Sequence, residues 1–563
     1  MLSPIVWTTM ATGVGPDVHR VLDFQELDRK SGERVPISGL SRAAPAVWNV
    51  ASAAERKVGV AGWWATHPAE VVRGFFLSDR ASPILFDAPP SGSAYPPALE
   101  ARVRSAVEKD ARPSLEELRW FVRLPDDEIA RGLSSADGMR NPVFALARIL
   151  GSTRVYQRLA RDLYDRERPD FMTVYFEGPD EIGHVFAADA SPALPCISPK
   201  DAAAFGSTAA LYYGAIDAIL GQWMRRARED GATLLVTSDH GFKWGDDRPC
   251  ERSSSEGNTA AFWHRPDGVF AAWGTRVIPG RDREHPGVFD VAPTVLSLLG
   301  LPAEARMPGH ALRAAFREEP ALAPTRSSET LRVDRVAAAP MPAAEAREDA
   351  RKLVALGYLS ARDVSADTPS AGTGERPGMT EGAWNNLGLY ERETKKDLRA
   401  AEGDFRRALA LRPGYASPLF NLAVLYRSEG KRALARDLLF RAIDAGHPDP
   451  SGTLLHWAAE ERTAKRSADE IALLDRAAAR FPGDERIART LADGRFRAGD
   501  CAGAAAALRP FQERASAAET WNGLGLYATC LGRPDEAASF FRRSLAIRPG
   551  QPGVIDALKS LGR

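Results

Sequence analysis

The sequence predicts an α/β domain followed by an all-α repeat array. Up to about residue 315, short apolar runs alternate with amphipathic helical patterns, which is typical of a mostly parallel sheet flanked by helices. From about residue 380 onward, pairs of helical patterns recur with a period of about 34 residues. A segment rich in Pro, Ala, Ser and Arg lies between the two parts and is typical of a linker. We therefore predict three regions, at residues 1–315, 316–379 and 380–563.

Composition places the chain among globular proteins and indicates no strongly charged partner. The 563 residues include 74 Lys and Arg against 74 Asp and Glu, so the formal charge is zero. A balanced charge gives no indication of binding to a nucleic-acid polymer or to a membrane surface. Since no run approaches the ~18 to 20 apolar residues of a membrane span, we expect none in the chain as given.

The cysteines and the first residues bear on the cellular compartment. Cys196, Cys250, Cys501 and Cys530 show no C-x-x-C pairing, so we expect neither a disulfide framework nor a cysteine-based zinc site. The N-terminal residues MLSPIVWTTMATG lack the basic region and the cleavage site of a signal peptide. As written, the chain is expected to be cytoplasmic, although an upstream start could carry an export signal.

Short, continuous apolar runs in the first region are predicted to be buried strands. They are KVGVAGWWA from Lys57, FMTVYFEG from Phe171, ATLLVTSDHG from Ala232 and GVFAAWG from Gly268. The segment STAALYYGAIDAILGQWMRRARED predicts a long amphipathic helix, and FDVAPTVLSLLGLP predicts a closing helix that ends at Gly-Leu-Pro. The alternation predicts helices on both faces of the sheet, with binding sites at the carboxyl ends of its strands.

Acidic and imidazole side chains follow two of these strands. Asp180 and His184 come after one strand, Asp239 and His240 come after another, and His264 precedes a third. Carboxylate oxygens and neutral imidazoles are the ligand set expected for zinc, or for manganese or iron in a similar site. Because these ligands come from three segments, we predict two divalent metal ions, with zinc as the favoured element.

The C-terminal region resembles the tetratricopeptide repeat. WNNLGLY at Trp384 and WNGLGLY at Trp521 mark its two ends, and about five units fit between residues 380 and 563. Such helix pairs stack into a superhelix whose concave face usually binds a peptide or a protein, so we predict a protein or peptide partner. The alternative is that the array packs only on its own enzyme or dimerises.

In the linker, AREDARKLVALGYLSA has helical periodicity and predicts a short helix docked on a neighbouring domain.

Six ordered motifs in residues 2 to about 305 resemble the type I phosphodiesterase/nucleotide pyrophosphatase branch of the alkaline phosphatase superfamily. They are LSPIVWTTMATGVGPDVHRVLDF, VGVAGWWATHPAEVVRGFFLSD, VYFEGPDEIGHVF, LLVTSDHGF, FWHRPDGVFAAWG and FDVAPTVLSLLGLP. The resemblance implies that Asp180, His184 and a later His hold one zinc. We assign His264 as that residue, with His285 as the competing candidate. Asp239 and His240 are implied to hold the second zinc.

The resemblance also implies a Ser or Thr nucleophile at the start of a helix, nine residues before the Thr of a Thr-Gly pair. Counting back from Thr12 gives Ser3, which is followed by Pro in the manner of an N-cap. Thr8 and Thr9 are the other candidate hydroxyls. The implied reaction is in-line attack on phosphorus, with a covalent phospho-Ser intermediate that is then hydrolysed. We expect a phosphodiester, nucleotide pyrophosphate or related phosphoryl ester as substrate, on a small molecule or on a lipid or glycan.

The chain departs from the family's pattern at its beginning. Family members open with a strand that ends in Asp-Gly, and this Asp is a further ligand of the metal beside the nucleophile. No such strand precedes Ser3 here, so we expect the sheet to lack its first strand. Either the true start lies upstream of Met1, or the domain is a metal-poor relative. The alternatives to a hydrolase are therefore an inactive protein-binding scaffold and a phospho-group transferase of the same superfamily.

Overall fold

Chain contacts divide the protein into two units, Met1–Pro418 and Leu419–Arg563. The computed structural model describes residues 2–28, 31–82, 88–250, 260, 263–280, 285–317, 331–339, 343–359, 378–513 and 515–562. Much of the predicted linker, at 318–330 and 360–377, therefore lies outside the described residues.

The first unit alternates helices with short strands. In chain order they are α1 (Ser3–Thr12), α2 (Pro16–His19), β1 (Gln25–Leu27), β2 (Arg34–Pro36), α3 (Val47–Ala53), β3 (Val58–Ala61), β4 (Gly74–Leu77), β5 (Ala94–Tyr95), α4 (Glu100–Asp110), α5 (Leu115–Phe121), α6 (Asp126–Leu133), α7 (Pro142–Glu167), β6 (Phe171–Val174), α8 (Gly178–Phe186), α9 (Pro199–Phe205), α10 (Thr208–Glu229), β7 (Leu234–Thr237), β8 (Gly241–Phe242), β9 (His264–Arg265), β10 (Phe270–Trp273), α11 (Val291–Leu298), α12 (Ala343–Ala355), α13 (Glu381–Tyr390) and α14 (Leu398–Leu411).

A four-stranded sheet with the order β5-β4-β3-β6 forms one half of the α/β core. Strand β3 lies inside it, pairs in parallel with β4 and β6, and has all of its residues buried. Parallel neighbours need crossover connections, and helices α4 to α7 lie between β5 and β6 in the chain. The predicted parallel sheet flanked by helices is confirmed in this half.

The other half is a separate antiparallel pair of β7 and β10, in which Thr237 faces Phe270 and Leu234 faces Trp273. Strands β6 and β7 both line a cavity of about 800 Å³, together with Trp7 of α1. Within the described residues, β6 pairs only with β3 and β7 only with β10. All residues of β6 and β7 are partly exposed although most are apolar. The sheet is therefore divided at this cavity.

Helix α10 leads into β7, as predicted, and lines the same cavity with Ile219 and Trp223. The stretch Pro199–Glu229 has the length and apolar composition of a membrane span. A single such helix is weak evidence, because a helix in the core of a globular domain meets the same criteria.

Helix α12 packs on the α/β domain. Leu353 and Leu356, with the following Tyr358, belong to the same buried apolar cluster as Ile182 and Phe186 of α8. The helical periodicity of this part of the linker thus corresponds to a helix packed against the α/β domain.

The expectation that the cysteines form no disulfides is wrong. Cys196 and Cys250 are bonded with their Cα atoms 5.9 Å apart, and Cys501 and Cys530 are bonded with their Cα atoms 6.2 Å apart. Partners separated by 54 and 29 residues carry no short motif, so their pairing becomes visible only in the folded chain.

The second unit is a series of paired helices that continues the repeats begun by α13 and α14. Its helices are α15 (Ala416–Ser428), which crosses the boundary, α16 (Arg432–Asp444), α17 (Pro450–Thr463), α18 (Ser467–Arg480), α19 (Glu485–Arg497), α20 (Cys501–Leu508), α21 (Ala518–Cys530), α22 (Pro534–Ile547) and α23 (Pro552–Ser560). Gly525 of the WNGLGLY motif lets α21 approach α22, because a Cβ atom there would lie 2.4 Å from the Phe541 ring. The predicted tetratricopeptide-type solenoid is confirmed.

Candidate metal centre

The five predicted metal ligands lie together in the first unit. Asp180 and His184 are one turn apart on one face of α8, which follows β6. Asp239 and His240 follow β7, separated from its end by Ser238. His264 begins β9, which pairs with β8 so that His264 faces Phe242. Helix α8 after β6, the turn after β7 and the start of β9 thus bring residues of three chain segments to one place.

Asp180, His184 and His264 have the mutual spacing of zinc ligands. The Oδ1 atom of Asp180 lies 3.4 Å from Nε2 of His184 and 3.4 Å from Nε2 of His264. The two Nε2 atoms are 3.0 Å apart. In a tetrahedral zinc site with bonds of about 2.1 Å, neighbouring ligand atoms are about 3.4 Å apart. These residues therefore fit a zinc ion without a change of backbone.

A second group adjoins the first one. The Nε2 atom of His240 lies 3.4 Å from Oδ2 of Asp239 and 3.4 Å from Oγ of Ser3. It is also 3.7 Å from Oδ1 of Asp180, and its ring stacks on that of His264 at 3.6 Å between centroids. Ligand atoms of Asp180, His240 and His264 all lie within 4.8 Å of one another. The two groups are close enough for two cations to share one substrate.

One oxygen in each group lacks a hydrogen-bond partner. Asp180 Oδ1 and Asp239 Oδ2 are buried and accept no hydrogen bond within the described part of the chain. An unsatisfied buried polar atom costs about 1–3 kcal/mol, and more when it carries charge. Asp180 Oδ1 faces Nε2 of His184 and of His264, and Asp239 Oδ2 faces Nε2 of His240. A cation bound between oxygen and nitrogen atoms would satisfy both carboxylates, so the donor set fits divalent metal ions.

At Asp180 and His264, electrostatics favour the protonation states that bind metal. Burial raises the pKa of Asp180, but the neighbouring imidazoles of His184, His264 and His240 outweigh it, and the pKa falls well below its usual value. Burial lowers the pKa of His264 to about 4 and outweighs the opposing effect of Asp180. Near neutral pH, a carboxylate thus faces a neutral imidazole. Burial raises the pKa of Asp239, against the effect of His240.

Ser3 is the first residue of α1 and is buried. The N-cap position is occupied by Leu2, so the predicted N-cap role of Ser3 is not seen, and its Oγ atom faces His240. The hydroxyl of Thr8 donates to the carbonyl of Pro4 in the preceding turn. Thr9 Oγ1 is instead 3.1 Å from Nε2 of His19. Of the three candidate hydroxyls, that of Ser3 is the one that contacts a predicted metal ligand.

His285, the competing candidate for the last ligand, is exposed on the loop that precedes residues 288–290. His264 is the residue that lies beside Asp180. The geometry therefore favours His264 over His285 as a member of the first group.

One further residue of the centre, Tyr358, is not indicated by any motif of the sequence. Its hydroxyl donates to Oδ2 of Asp180 at 2.5 Å and lies 3.1 Å from Nε2 of His184. Tyr358 follows α12, in the segment predicted as a linker, and 178 residues separate it from Asp180. The helical periodicity of that segment was the available signal, and it could not specify the helix's partner.

Comparisons with known proteins bear on both parts of the chain. Residues 2–254 match the family described as type I phosphodiesterase / nucleotide pyrophosphatase. A stretch of 95 residues is 33% identical to the 2,3-bisphosphoglycerate-independent phosphoglycerate mutase of Caenorhabditis elegans, and the match spans 17% of this chain and 17% of the mutase.

Solved structures resemble the repeats. A TPR repeats protein from Bacteroides fragilis is 14% identical with a TM-score of 0.25, over 32% of this chain and 97% of that one. YrrB, a TPR protein with an unusual peptide-binding site, is 15% identical with a TM-score of 0.22, over 31% of this chain and 91% of that one.

Proposed function

We propose that the chain is a hydrolase of phosphoric esters that depends on two divalent metal ions, because residues 2–254 match the type I phosphodiesterase/nucleotide pyrophosphatase family. The proposed substrates contain a phosphodiester, a nucleotide pyrophosphate or a related phosphoryl ester, on a small molecule or on a lipid or glycan. Zinc is the favoured ion, because the ligands are carboxylates and imidazoles at tetrahedral spacing.

The observation that carries this proposal is the pair of unsatisfied carboxylate oxygens, on Asp180 and Asp239. Buried polar atoms in folded proteins are normally satisfied, and a cation held between these oxygens and the adjacent imidazoles would satisfy both.

Ser3 is proposed as the nucleophile. Its oxygen lies beside His240 at the N-terminus of α1, where the helix dipole favours negative charge on the attacking atom. Bound metal ions would lower the pKa of the hydroxyl and stabilise charge on the attacking and leaving oxygens. As the Ser3 proton leaves, the Oγ–phosphorus bond forms and the bond to the leaving alcohol breaks. Water then cleaves the Oγ–phosphorus bond, which releases the phosphate product and restores Ser3.

The family resemblance implies one more Asp, at the end of a strand that the described residues do not include. The cavity between β6 and β7 supports a place for such a strand, because both strands present edges that no described strand pairs with. The cavity is also lined by Asp239 and His240, so an acidic side chain at the end of that strand would complete the second group.

The repeats are proposed to bind a protein or peptide partner, in keeping with their solenoid of paired helices. YrrB, which resembles this region, is described as having a peptide-binding site.

Two disulfides support an oxidising compartment for the protein, because such bonds are rare where thiols are kept reduced.

The test combines metal content by mass spectrometry with hydrolysis of bis-p-nitrophenyl phosphate. Asp180→Asn should lose bound zinc and hydrolysis together, whereas Ser3→Ala should keep zinc and lose hydrolysis. His456→Ala, at an exposed residue of α17, is the control and should change neither. Hydrolysis that persists in Ser3→Ala would contradict the nucleophile, and a wild-type chain free of both zinc and activity would favour the scaffold.

A phospho-group transferase is the second candidate, and the similarity to a phosphoglycerate mutase favours it. The two reactions differ in what accepts the phosphoryl group from Ser3. Adding a small alcohol to the assay would divert the group from water to the alcohol in a transferase. Release of phosphate that is unaffected by the alcohol supports the hydrolase.

A further inference from the structure

The segment of residues 343–359, here called the clamp segment, lies outside the residues that match the phosphodiesterase family. It consists of α12 and the turn after it, and it ends on the metal centre. Every described contact below joins it to the α/β domain of the same unit.

Two charged contacts hold α12 against the metal-binding helix α8. The Nζ atom of Lys352 lies 2.6 Å from Oε2 of Glu177 and 2.7 Å from Oε1 of Glu181. Lys352 and Glu181 are both buried, so these contacts are little screened by solvent. Asp349 also pairs with Arg80. The clamp segment is therefore fixed on the helix that carries Asp180.

The end of α12 directs the chain toward the metal centre. Gly357 has a left-handed backbone conformation, with φ of 79°, which favours glycine at a helix C-terminus. The N–H group of Tyr358 turns back to the carbonyl of Leu353 at 2.8 Å, and the carbonyl of Gly357 accepts from Ala260 at 3.1 Å. Both bonds involve the peptide group that joins Gly357 to Tyr358, and they fix the backbone before the tyrosine. The N–H group of Leu359, which donates to the carbonyl of Leu353 at 3.2 Å, fixes the backbone after it.

The Tyr358 ring is held among the metal-site side chains. Its centroid lies 5.1 Å from that of His184, 6.0 Å from that of His264 and 4.8 Å from that of Phe24. The hydroxyl donates its proton to Oδ2 of Asp180. Because Oδ2 is engaged, Oδ1 is the oxygen of Asp180 that remains directed at the two imidazoles.

From this geometry we propose that Tyr358 is a positioning residue of the metal centre, which holds Asp180 in the orientation that binds metal. The inference rests on the proposed function and adds to it a residue from outside the matched domain. Partners that orient metal ligands typically change metal affinity about 10- to 100-fold when they are lost. The clamp segment thereby makes metal binding by α8 depend on a helix from the predicted linker.

The test compares zinc affinity of the full chain and of Tyr358→Phe, measured by competition with a chelator of known affinity. The variant keeps the ring and its packing and removes only the hydroxyl. We expect its Kd for zinc to rise about 10- to 100-fold. Tyr213→Phe is the matched control, because the Tyr213 hydroxyl donates to the backbone carbonyl of Pro179, next to Asp180. This control should bind zinc as the wild type does.

Cobalt substitution gives a second readout that a merely structural tyrosine would not change. Because visible Co²⁺ bands depend on ligand geometry, Tyr358→Phe should shift them and Tyr213→Phe should not. An unchanged Kd and spectrum in Tyr358→Phe would overturn the inference while leaving the proposed function intact. Tighter zinc binding would overturn it too, since the hydroxyl would then obstruct the ion. A wild-type chain that binds no zinc would overturn both proposals.

Discussion

Acidification should weaken the packing of the nucleophile helix through His19. This buried side chain accepts a hydrogen bond from the N–H group of Val21 at Nδ1, so its Nε2 atom carries the proton that faces Thr9 of α1. A second proton would have to sit on Nδ1, against the N–H group of Val21. Burial, with a further effect of the charge on Arg42, lowers the pKa of His19 to about 3.

The size of the effect follows from this pKa. A histidine whose pKa is lower in the folded state takes up its proton more readily in the unfolded chain, so stability is lost as the pH falls below about 6.5. With a folded pKa of about 3, the loss between pH 8 and pH 5 is about 2 kcal/mol, and it approaches about 5 kcal/mol below pH 3. His67 and His264, whose pKa values are both lowered to about 4 by burial, add losses of the same sign.

The variant His19→Asn isolates the contribution of this residue. Asparagine offers an oxygen to the N–H group of Val21 and does not titrate. The free energy of unfolding of the first unit would be measured by urea titration at pH 8, 7, 6 and 5 with a chelator present, for wild type and variant. His456→Asn, on an exposed position of α17, is the control. The difference between wild type and His19→Asn should shrink by about 2 kcal/mol from pH 8 to pH 5. A difference that stays constant with pH would refute the reasoning.

Three further predictions concern the metal, the disulfide and the repeats. Removing metal with a chelator should lower the melting temperature, because zinc at about 100 times its Kd contributes about 2.7 kcal/mol, and added zinc should reverse the change. Cys196→Ala should destabilise the first unit by about 2–4 kcal/mol in urea titration under oxidising conditions and should have no such effect under reducing conditions. Gly525→Ala should cost about 1–3 kcal/mol by overpacking against Phe541, whereas Gly553→Ala, which meets no atom within 4 Å, should be tolerated; equal melting of the two variants would contradict this.

The strands were predictable because their apolar runs are short and continuous. VGVA, FMTV, LLVT and FAAW, which form β3, β6, β7 and β10, all lie within the runs identified from the sequence. Their pairing was not predictable in the same way. Periodicity carries no information about which strand is a neighbour, so the division of the sheet at the cavity between β6 and β7 emerges only from the structure.

In the candidate site, too, residues that are close together in the sequence were predictable, and contacts between distant segments were not. Asp180 with His184, and Asp239 with His240, are local pairs at strand ends, and the structure places them together with His264. The disulfide partners and Tyr358 depend on contacts between distant segments. No pattern in the sequence specifies such contacts, although Tyr358 lies in a segment whose helical periodicity is recognisable.

Helix α8 explains why the metal centre depends on a segment so far along the chain. Positions 177, 180, 181 and 184 are spaced by three or four residues and therefore share one face of the helix. On that face, Asp180 and His184 face the other metal ligands, while Glu177 and Glu181 pair with Lys352. Removing the lysine would leave the buried carboxylate of Glu181 and the partly exposed one of Glu177 without the cation that contacts both, and loss of one partner of a buried ion pair typically costs about 3–5 kcal/mol. The position of helix α8 thus depends on the clamp segment as well as on β6, the strand that precedes the helix.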